Sequence, residues 1–328
     1  MLHPPFEWSQ LLSSSFKKAA VGTSRGHIQL RRFAGPGVYV RKMNPRRVAH
    51  LTDLHVGRVT PYEVQMEAVA LVNAAKPDLI VITGDFVCHS QLYLDQLTHL
   101  MGSFNAQVVA VLGNHDYWSG ADEVCLALRR AGVEVLRNQN TVVNLRGQPL
   151  QIVGLDDAYT GHARPDKAVA GLRRDLPTLA LSHIAEQADL LWPHGVPLVL
   201  SGHTHGGQIT LARLNEITLG KIGGHKYLHG LYGSRLANDN AGAVYVGAGI
   251  GAAMMPFRIG ERGQREVTVF ELGVSPGDFD EHHETQEPLP GRDISFAKMN
   301  RRMAKVARKH QRRANRTTIQ MPRVGRTR

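Results

Sequence analysis

Five apolar, β-branched runs in this chain each end in a short cluster of Asp, His or Asn, and few folds bring five strand ends to one place. Val48-Ala49-His50-Leu51-Thr52 runs into Asp53-Leu54-His55, Leu79-Ile80-Val81-Ile82-Thr83 into Gly84-Asp85, and Val108-Val109-Ala110-Val111-Leu112 into Gly113-Asn114-His115-Asp116. Thr178-Leu179-Ala180-Leu181 precedes Ser182-His183, and Pro197-Leu198-Val199-Leu200-Ser201 precedes Gly202-His203-Thr204-His205-Gly206-Gly207-Gln208. Runs of this length and composition predict buried strands. Open α/β sheets place their ligands just beyond the carboxyl ends of such strands. Gly84, Gly113 and Gly202 let the backbone turn there, so that short side chains converge.

The converging groups are oxygen and imidazole donors suited to Mn, Fe or Zn, in a number large enough to hold two divalent ions. A two-metal site stabilises both the attacking and the leaving oxygen of an in-line displacement at phosphorus, which predicts a phosphoester hydrolase. Taken singly, each cluster has a plainer reading. Asp-x-His and Gly-Asp are common in turns, and Gly-Asn-His-Asp is built of turn residues. Five such clusters in this order make coincidence the weaker reading.

In the order D-x-H, G-D, G-N-H-D, S-H and G-H-T-H, the motifs resemble those of the calcineurin-like metallophosphoesterase superfamily, from about residue 47 to residue 272. The extended G-H-T-H-G-G-Q, the run Gly113-Asn114-His115-Asp116-Tyr117-Trp118 and the late Val244-Tyr245-Val246-Gly247-Ala248-Gly249-Ile250-Gly251 are similar to one bacterial branch. That branch holds membrane-associated and twin-arginine-exported phosphodiesterases, some of whose relatives cleave UDP-2,3-diacylglucosamine in lipid A synthesis. The resemblance implies a four-layer α/β/β/α sandwich of two mixed sheets. It also implies that Asp53, His55, Asp85 and His205 hold one metal, and that Asp85, Asn114, His183 and His203 hold a second, with Asp85 bridging. The implied cofactor is two divalent ions, manganese first and iron or zinc as alternatives, with a hydroxide held between them attacking phosphorus. His115 lies off the ligand pattern and is implied to stabilise or protonate the leaving oxygen. Asp116 is implied to orient His115 or to support the ligands. His183 departs from the family in being followed by Ile184-Ala185-Glu186, where a Pro is usual; His194 competes, but it follows Trp192-Pro193 in a loop-like stretch, which favours His183. Asp156 and Asp157 read as a strand-end turn, and Cys88 as a small buried side chain.

At 328 residues the chain can bury a substantial core. Its two cysteines, Cys88 and Cys125, are expected to be free thiols in a reducing compartment. No stretch reaches the roughly 18 apolar residues of a spanning helix. Arg31-Arg32-Phe33-Ala34 hints at a twin-arginine signal, but the run after it is short, broken by Gly and Pro, and met by Arg41-Lys42. It reads as part of a basic arm, and a cytoplasmic location is expected, with peripheral contact to the inner face of the plasma membrane.

Charge divides the chain into a basic arm over residues 1–46, a catalytic domain over 47–273, a turn-rich acidic linker over 274–294 and a basic tail over 295–328. Residues 1–47 carry nine Lys/Arg against Glu7, and residues 298–328 carry twelve against no acid, so the body between them is acidic although the whole chain is +11. In the tail, Phe296, Met299, Met303 and Val306 fall on one helical face with Lys298, Arg301, Arg302, Lys305, Arg308 and Lys309 around it. Such a helix predicts an anionic membrane surface as partner, or equally a solvated tail that adheres to RNA. Residues after Arg316 are expected to be disordered. Helical patterns cover Tyr62–Ala75, Gln91–Met101, Ala121–Ala131 and Glu186–Leu191; further strands are expected at Val142–Leu145, Gln208–Leu211 and Glu266–Phe270. Two readings follow: a phosphodiesterase or pyrophosphatase acting on a phosphodiester or nucleotide-lipid substrate, and a nuclease or nucleic-acid-binding protein whose basic arms grip phosphates.

Overall fold

A computed structural model describes residues 28–207, 223–236, 242–252, 264–277, 286–292 and 296–319. Strands β1 (Ile28–Ala34), β2 (Arg46–Leu51), β3 (Leu79–Thr83), β4 (Val108–Val111), β5 (Glu134–Val135) and β12 (Arg265–Leu272) form one sheet in the order β1-β12-β2-β3-β4-β5. Strands β6 (Gln139–Leu145), β7 (Gln148–Gly154), β8 (Thr178–Leu181), β9 (Leu198–Ser201), β10 (Gly230–Gly233) and β11 (Ala243–Val246) form the other, in the order β10-β11-β9-β8-β7-β6. Both sheets are mixed. In the first, β12 runs parallel to β1 and antiparallel to β2, while β2 to β5 are parallel. In the second, the parallel set β7, β8, β9 and β11 is flanked by antiparallel β6 and β10. Helices α1 (Tyr62–Ala75), α2 (Leu94–Gly102), α3 (Asn114–Ser119), α4 (Ala121–Arg130), α5 (Pro165–Ala168), α6 (Ala188–Leu191) and α7 (Phe296–Ile319) complete the chain.

The two-residue period of the strands builds the layers. Val48, Leu79, Val81, Val109 and Val111 point inward and meet Leu150, Ile152, Leu179, Leu181, Leu198 and Leu200 of the second sheet. Their neighbours Ala49, Leu51, Ile80, Ile82 and Ala110 point outward and meet Val69 and Val72 of α1, Leu97 and Leu100 of α2, and Val124 and Leu128 of α4. On the far side Val153, Ala180, Val199, Val244 and Val246 are covered by Ala185, Ala188 and Leu191. Strands buried on both faces need apolar side chains at consecutive positions, hence unbroken runs such as Leu79–Thr83. The result is the expected four-layer sandwich.

Two segments differ from the expectations. Residues 28–34, assigned to the basic arm, form β1 at the edge of the first sheet. Arg31 and Arg32 pair with Glu266 at 2.9 Å and Glu271 at 2.7 Å on β12. The Gly-Asn-His-Asp cluster lies just past β4 as expected and there opens a short helix, with Gly113 N–H donating to Asp116 Oδ2 at 2.9 Å. The tail helix runs on to Ile319, past the Arg316 limit. The strand expected at Gln208–Leu211 lies outside the described residues. Cys88 and Cys125 are both free thiols. Among the described residues no helix is long and apolar enough to cross a membrane.

Candidate metal centre

The loops that follow β2, β3, β4, β8 and β9 meet where the two sheets come together. Their backbones are laced to each other: Asp53 N–H donates to Gly84 O, His55 N–H to Asp85 O, Gly202 N–H to His183 O and Gly251 N–H to Asp53 O. Approach is so close that a Cβ at Gly113 would collide with Asp85 Oδ1, and one at Gly202 with Asp53 Oδ2. Asp53, His55, Asp85, His203 and His205 all have φ between 45° and 75°. Non-glycine residues avoid this left-handed region, and its recurrence marks a backbone bent to aim side chains.

Those side chains form two groups that share one carboxylate. Ligand atoms of Asp53, His55, Asp85 and His205 lie within 4.8 Å of one another, as do those of Asp85, His183 and His203. In the first group His55 Nε2 is 3.1 Å from His205 Nε2 and His205 Nε2 is 3.3 Å from Asp53 Oδ1. In the second, His203 Nδ1 is 3.2 Å from His183 Nε2. Asp85 Oδ2 stands between them, 3.6 Å from His55 Nε2 and 3.4 Å from His183 Nε2, while its Oδ1 accepts the His115 amide at 2.8 Å. His183 Nδ1 donates to Thr83 O at 2.6 Å, which fixes the ring and turns Nε2 into the cluster. Asn114 sits in the first turn of α3 beside His115, with its Oδ1 buried.

Asp53 Oδ1 and Asn114 Oδ1 are buried with no hydrogen-bond partner among the described residues. A buried acceptor left without a donor costs about 1–3 kcal/mol. Carboxylate, amide and imidazole donors converging in this way fit divalent cations, which would satisfy both oxygens. The electrostatics agree. Burial opposes ionisation of Asp85, but His183, His115 and His55 around it overcome that and hold it well below the usual carboxylate range. Burial drives His55 and His203 well below the ordinary imidazole value, leaving the neutral ring that a metal needs. At His183 burial is outweighed by Asp85, whose charge and hydrogen bond carry it up to about 10; a cation at Asp85 would compete with that proton.

Asp116 is turned away from His115 and takes backbone amides. Its Oδ2 accepts from Asp85 N and Gly113 N, both at 2.9 Å, and its Oδ1 from Phe86 N at 2.8 Å and Val87 N at 3.3 Å. It therefore holds the Asp85 loop, and His115 Nδ1 is buried with no hydrogen-bond partner among the described residues. Burial, with the charge of Asp85, pushes the Asp116 carboxyl up to about 8 against the pull of these amides. His115 Nε2 is 4.0 Å from Asp85 Oδ2, and its ring is packed against His55, His89 and Trp118 at centroid distances of 4.6, 4.3 and 4.7 Å.

Of the competing groups, His194 is exposed and lines a separate cavity with Arg174 and Pro193. Asp157 accepts from Tyr159 N and Thr160 N in a turn, and Asp156 takes Tyr117 and Arg137. Cys88 does approach: its sulfur lies within 4.8 Å of ligand atoms of His55 and His115. Burial and Asp85 raise its thiol, which makes it the poorer donor. Two aromatic neighbours were given no role from the sequence: Trp118, quoted there only as the end of the Gly113–Trp118 run, lies beside His115, and Tyr159, which had no signal, has its ring centroid 5.1 Å from that of His203.

Residues 46–207 match the family described as calcineurin-like phosphoesterase. The chain is 31% identical over 238 residues to Phosphodiesterase YaeI of Escherichia coli, covering 70% of this chain and 82% of that protein. It is 29% identical over 213 residues to UDP-2,3-diacylglucosamine pyrophosphatase LpxG of Chlamydia trachomatis, covering 50% of this chain and 65% of that protein. Among solved structures, a 5'-nucleotidase precursor from Thermus thermophilus aligns with a TM-score of 0.44 at 14% identity, over 83% of this chain and 59% of that one. Two mixed sheets, a buried cluster of metal-binding side chains at their joined strand ends and these sequence matches lead to one conclusion: the chain is a metallophosphoesterase and belongs to the calcineurin-like phosphoesterase family.

Proposed function

We propose that this enzyme hydrolyses a phosphodiester or pyrophosphate bond with two divalent ions, manganese in first place. Asp53, His55, Asp85 and His205 hold one, and Asp85, Asn114, His183 and His203 the other. The observation that carries this reading is the position of Asp85 Oδ2, within 3.6 Å of an imidazole nitrogen from each group. When bound, the ions supply a water of lowered pKa and neutralise charge on the phosphoryl oxygens. The chain does the rest. Asp116 fixes the Asp85 loop through hydrogen bonds from three of its amides and takes a fourth from Gly113, and His183 is held in one tautomer by Thr83 O. His115 is the catalytic group placed to give a hydrogen bond or proton to the leaving oxygen.

The substrate in this reading is UDP-2,3-diacylglucosamine or another lipid-linked molecule, met at the cytoplasmic face of the membrane. Likeness to LpxG supports that substrate, and likeness to YaeI supports a phosphodiester bond as the one cleaved. A nuclease on the same centre is the second reading, supported by the nine Lys/Arg and absence of acids in the sequence of α7. Purified enzyme supplied with Mn is to be assayed on bis-p-nitrophenyl phosphate, p-nitrophenyl phosphate, UDP-2,3-diacylglucosamine, RNA and DNA. Asp85→Asn and His203→Ala should each lower turnover by about 10³ or more with the fold intact. Normal turnover with normal metal content in either variant would sink the dinuclear reading.

A further inference from the structure

Helix α7 does not stand clear of the catalytic domain. Val306 is 7% exposed and joins the apolar layer that covers the first sheet. A side chain on Gly161 would meet the sulfurs of Met303 and Met299 at 3.0 and 3.1 Å. The stripe expected to face a lipid surface is thus buried against the enzyme at Val306, while Met299 and the 41% exposed Met303 reach Gly161 with their sulfurs. The cations beside the stripe come with it. The Arg302 guanidinium lies 3.5 Å from the centroid of the Tyr159 ring, and Lys305 Nζ lies 4.4 Å from that of Trp118. Tyr159 neighbours His203 and Trp118 neighbours His115, so each cation is one aromatic ring removed from a residue of the metal centre. One helical turn on, Lys309 is close enough to Cys88, His89 and His115 to act on all three electrostatically.

A cation on an aromatic face is held in place yet keeps N–H donors for an anion. Arg302 Nη1 is such a donor: it is buried and has no hydrogen-bond partner among the described residues. A simple phosphodiester carries one negative charge, which two divalent ions still offset after Asp53 and Asp85 have cancelled half of theirs. Three further cations, two of them on rings that neighbour His203 and His115 and the third within electrostatic reach of His115, call for a ligand with more anionic charge than the scissile phosphoryl group. We propose that α7 roofs the metal centre and that Arg302, Lys305 and Lys309 recognise a second phosphoryl group, adjacent to the one cleaved. A diphosphate diester is then preferred over a simple phosphodiester. This rests on the phosphodiesterase or pyrophosphatase reading of the centre.

The test uses the full-length, metal-loaded enzyme and two non-hydrolysable probes, methylenediphosphonate with two phosphorus atoms and methylphosphonate with one. Calorimetry gives their relative affinity. The parent should prefer the two-phosphorus probe by about 30-fold or more, and R302Q/K305Q/K309Q should reduce that preference about tenfold. The pair R301Q/R308Q, exposed cations of the same helix, should leave it unchanged. V306D, which removes the apolar anchor, should weaken the preference together with the helix docking, read as hydrogen exchange across residues 296–319. The roof is overturned if the parent binds both probes alike, or if V306D frees the helix and keeps the preference. It is also overturned if R301Q/R308Q loses as much as the triple variant, as a general polyanion tail would. Turnover of bis-p-nitrophenyl phosphate by the parent is scored separately, because its absence would refute the underlying reading and not the roof alone.

Discussion

His115 and Asp116 are adjacent, titratable and alike in their promise as catalytic groups, yet the first turn of α3 sends them in different directions. Asp116 points back under the strand ends and is saturated by amides, while His115 faces the cleft. Burial lowers the His115 imidazole and His183 adds to this, with Asp85 opposing. This favours its neutral form, and in the proposed role that form donates a hydrogen bond as the leaving oxygen gains charge. His115→Ala should keep the parent's metal content and lose about 10² in turnover on alkyl esters. On p-nitrophenyl esters, which leave without a proton, the loss should be smaller. A leaving-group series measures both, and an equal loss throughout would remove His115 from that role. The chemical kind of each side chain was legible in the sequence because Asp, His and Asn behind an apolar run have few uses. Their division of labour was not, because it depends on which way one short helix turns. The left-handed φ values at five of these positions were likewise invisible, since no residue there is a glycine to signal them.

Among the elements, those with a local signature were legible and those completed by distant partners were not. Helix α1 spans the expected Tyr62–Ala75, because Val64, Ala68, Val69 and Val72 repeat at helical spacing. Strand β1 escaped because Ile28–Ala34 carries Arg31 and Arg32, whose charge is answered by the sequence-distant Glu266 and Glu271 on β12. Glu266 is a buried junction: it accepts from His229 Nε2, Tyr245 OH and Ala248 N at 2.9 Å each and pairs with Arg31. Burial works against its ionisation, but His229 and Arg31 bring its carboxyl down to about 2. A depressed folded-state pKa gives stability that is complete above the unfolded value of about 4.3 and is lost as pH falls toward 2. Glu266→Gln should cost about 3–5 kcal/mol at pH 7 by urea unfolding, because the variant removes the negative member of a buried charge pair. The deficit should shrink between pH 4.3 and 2; a constant deficit would mean that packing, not charge, is what Glu266 supplies.

On the scale of the whole molecule, the centre belongs to neither sheet alone, since β2, β3 and β4 bring part of it and β8 and β9 the rest. The first sheet is not finished until β12 enters between β1 and β2. A chain ended after Gly251 lacks that strand and should show no cooperative unfolding by circular dichroism. One ended after Arg292 keeps every strand, loses α7, and should unfold cooperatively with the parent's metal content. If the shorter chain folds as well as the longer, β12 is dispensable to the first sheet. The same strand order governs synthesis. Ile28 leaves the ribosome long before its partner Arg265, and at about 5–20 residues per second the wait is on the order of 10–50 s. Throughout it β1 is an open strand edge, the kind of surface that adheres to other nascent chains. Two consecutive arginines on that edge are a standard deterrent to such pairing. Arg31 and Arg32 thus serve the protein twice, first as guards of an unfinished edge and later as the ion pairs that close it.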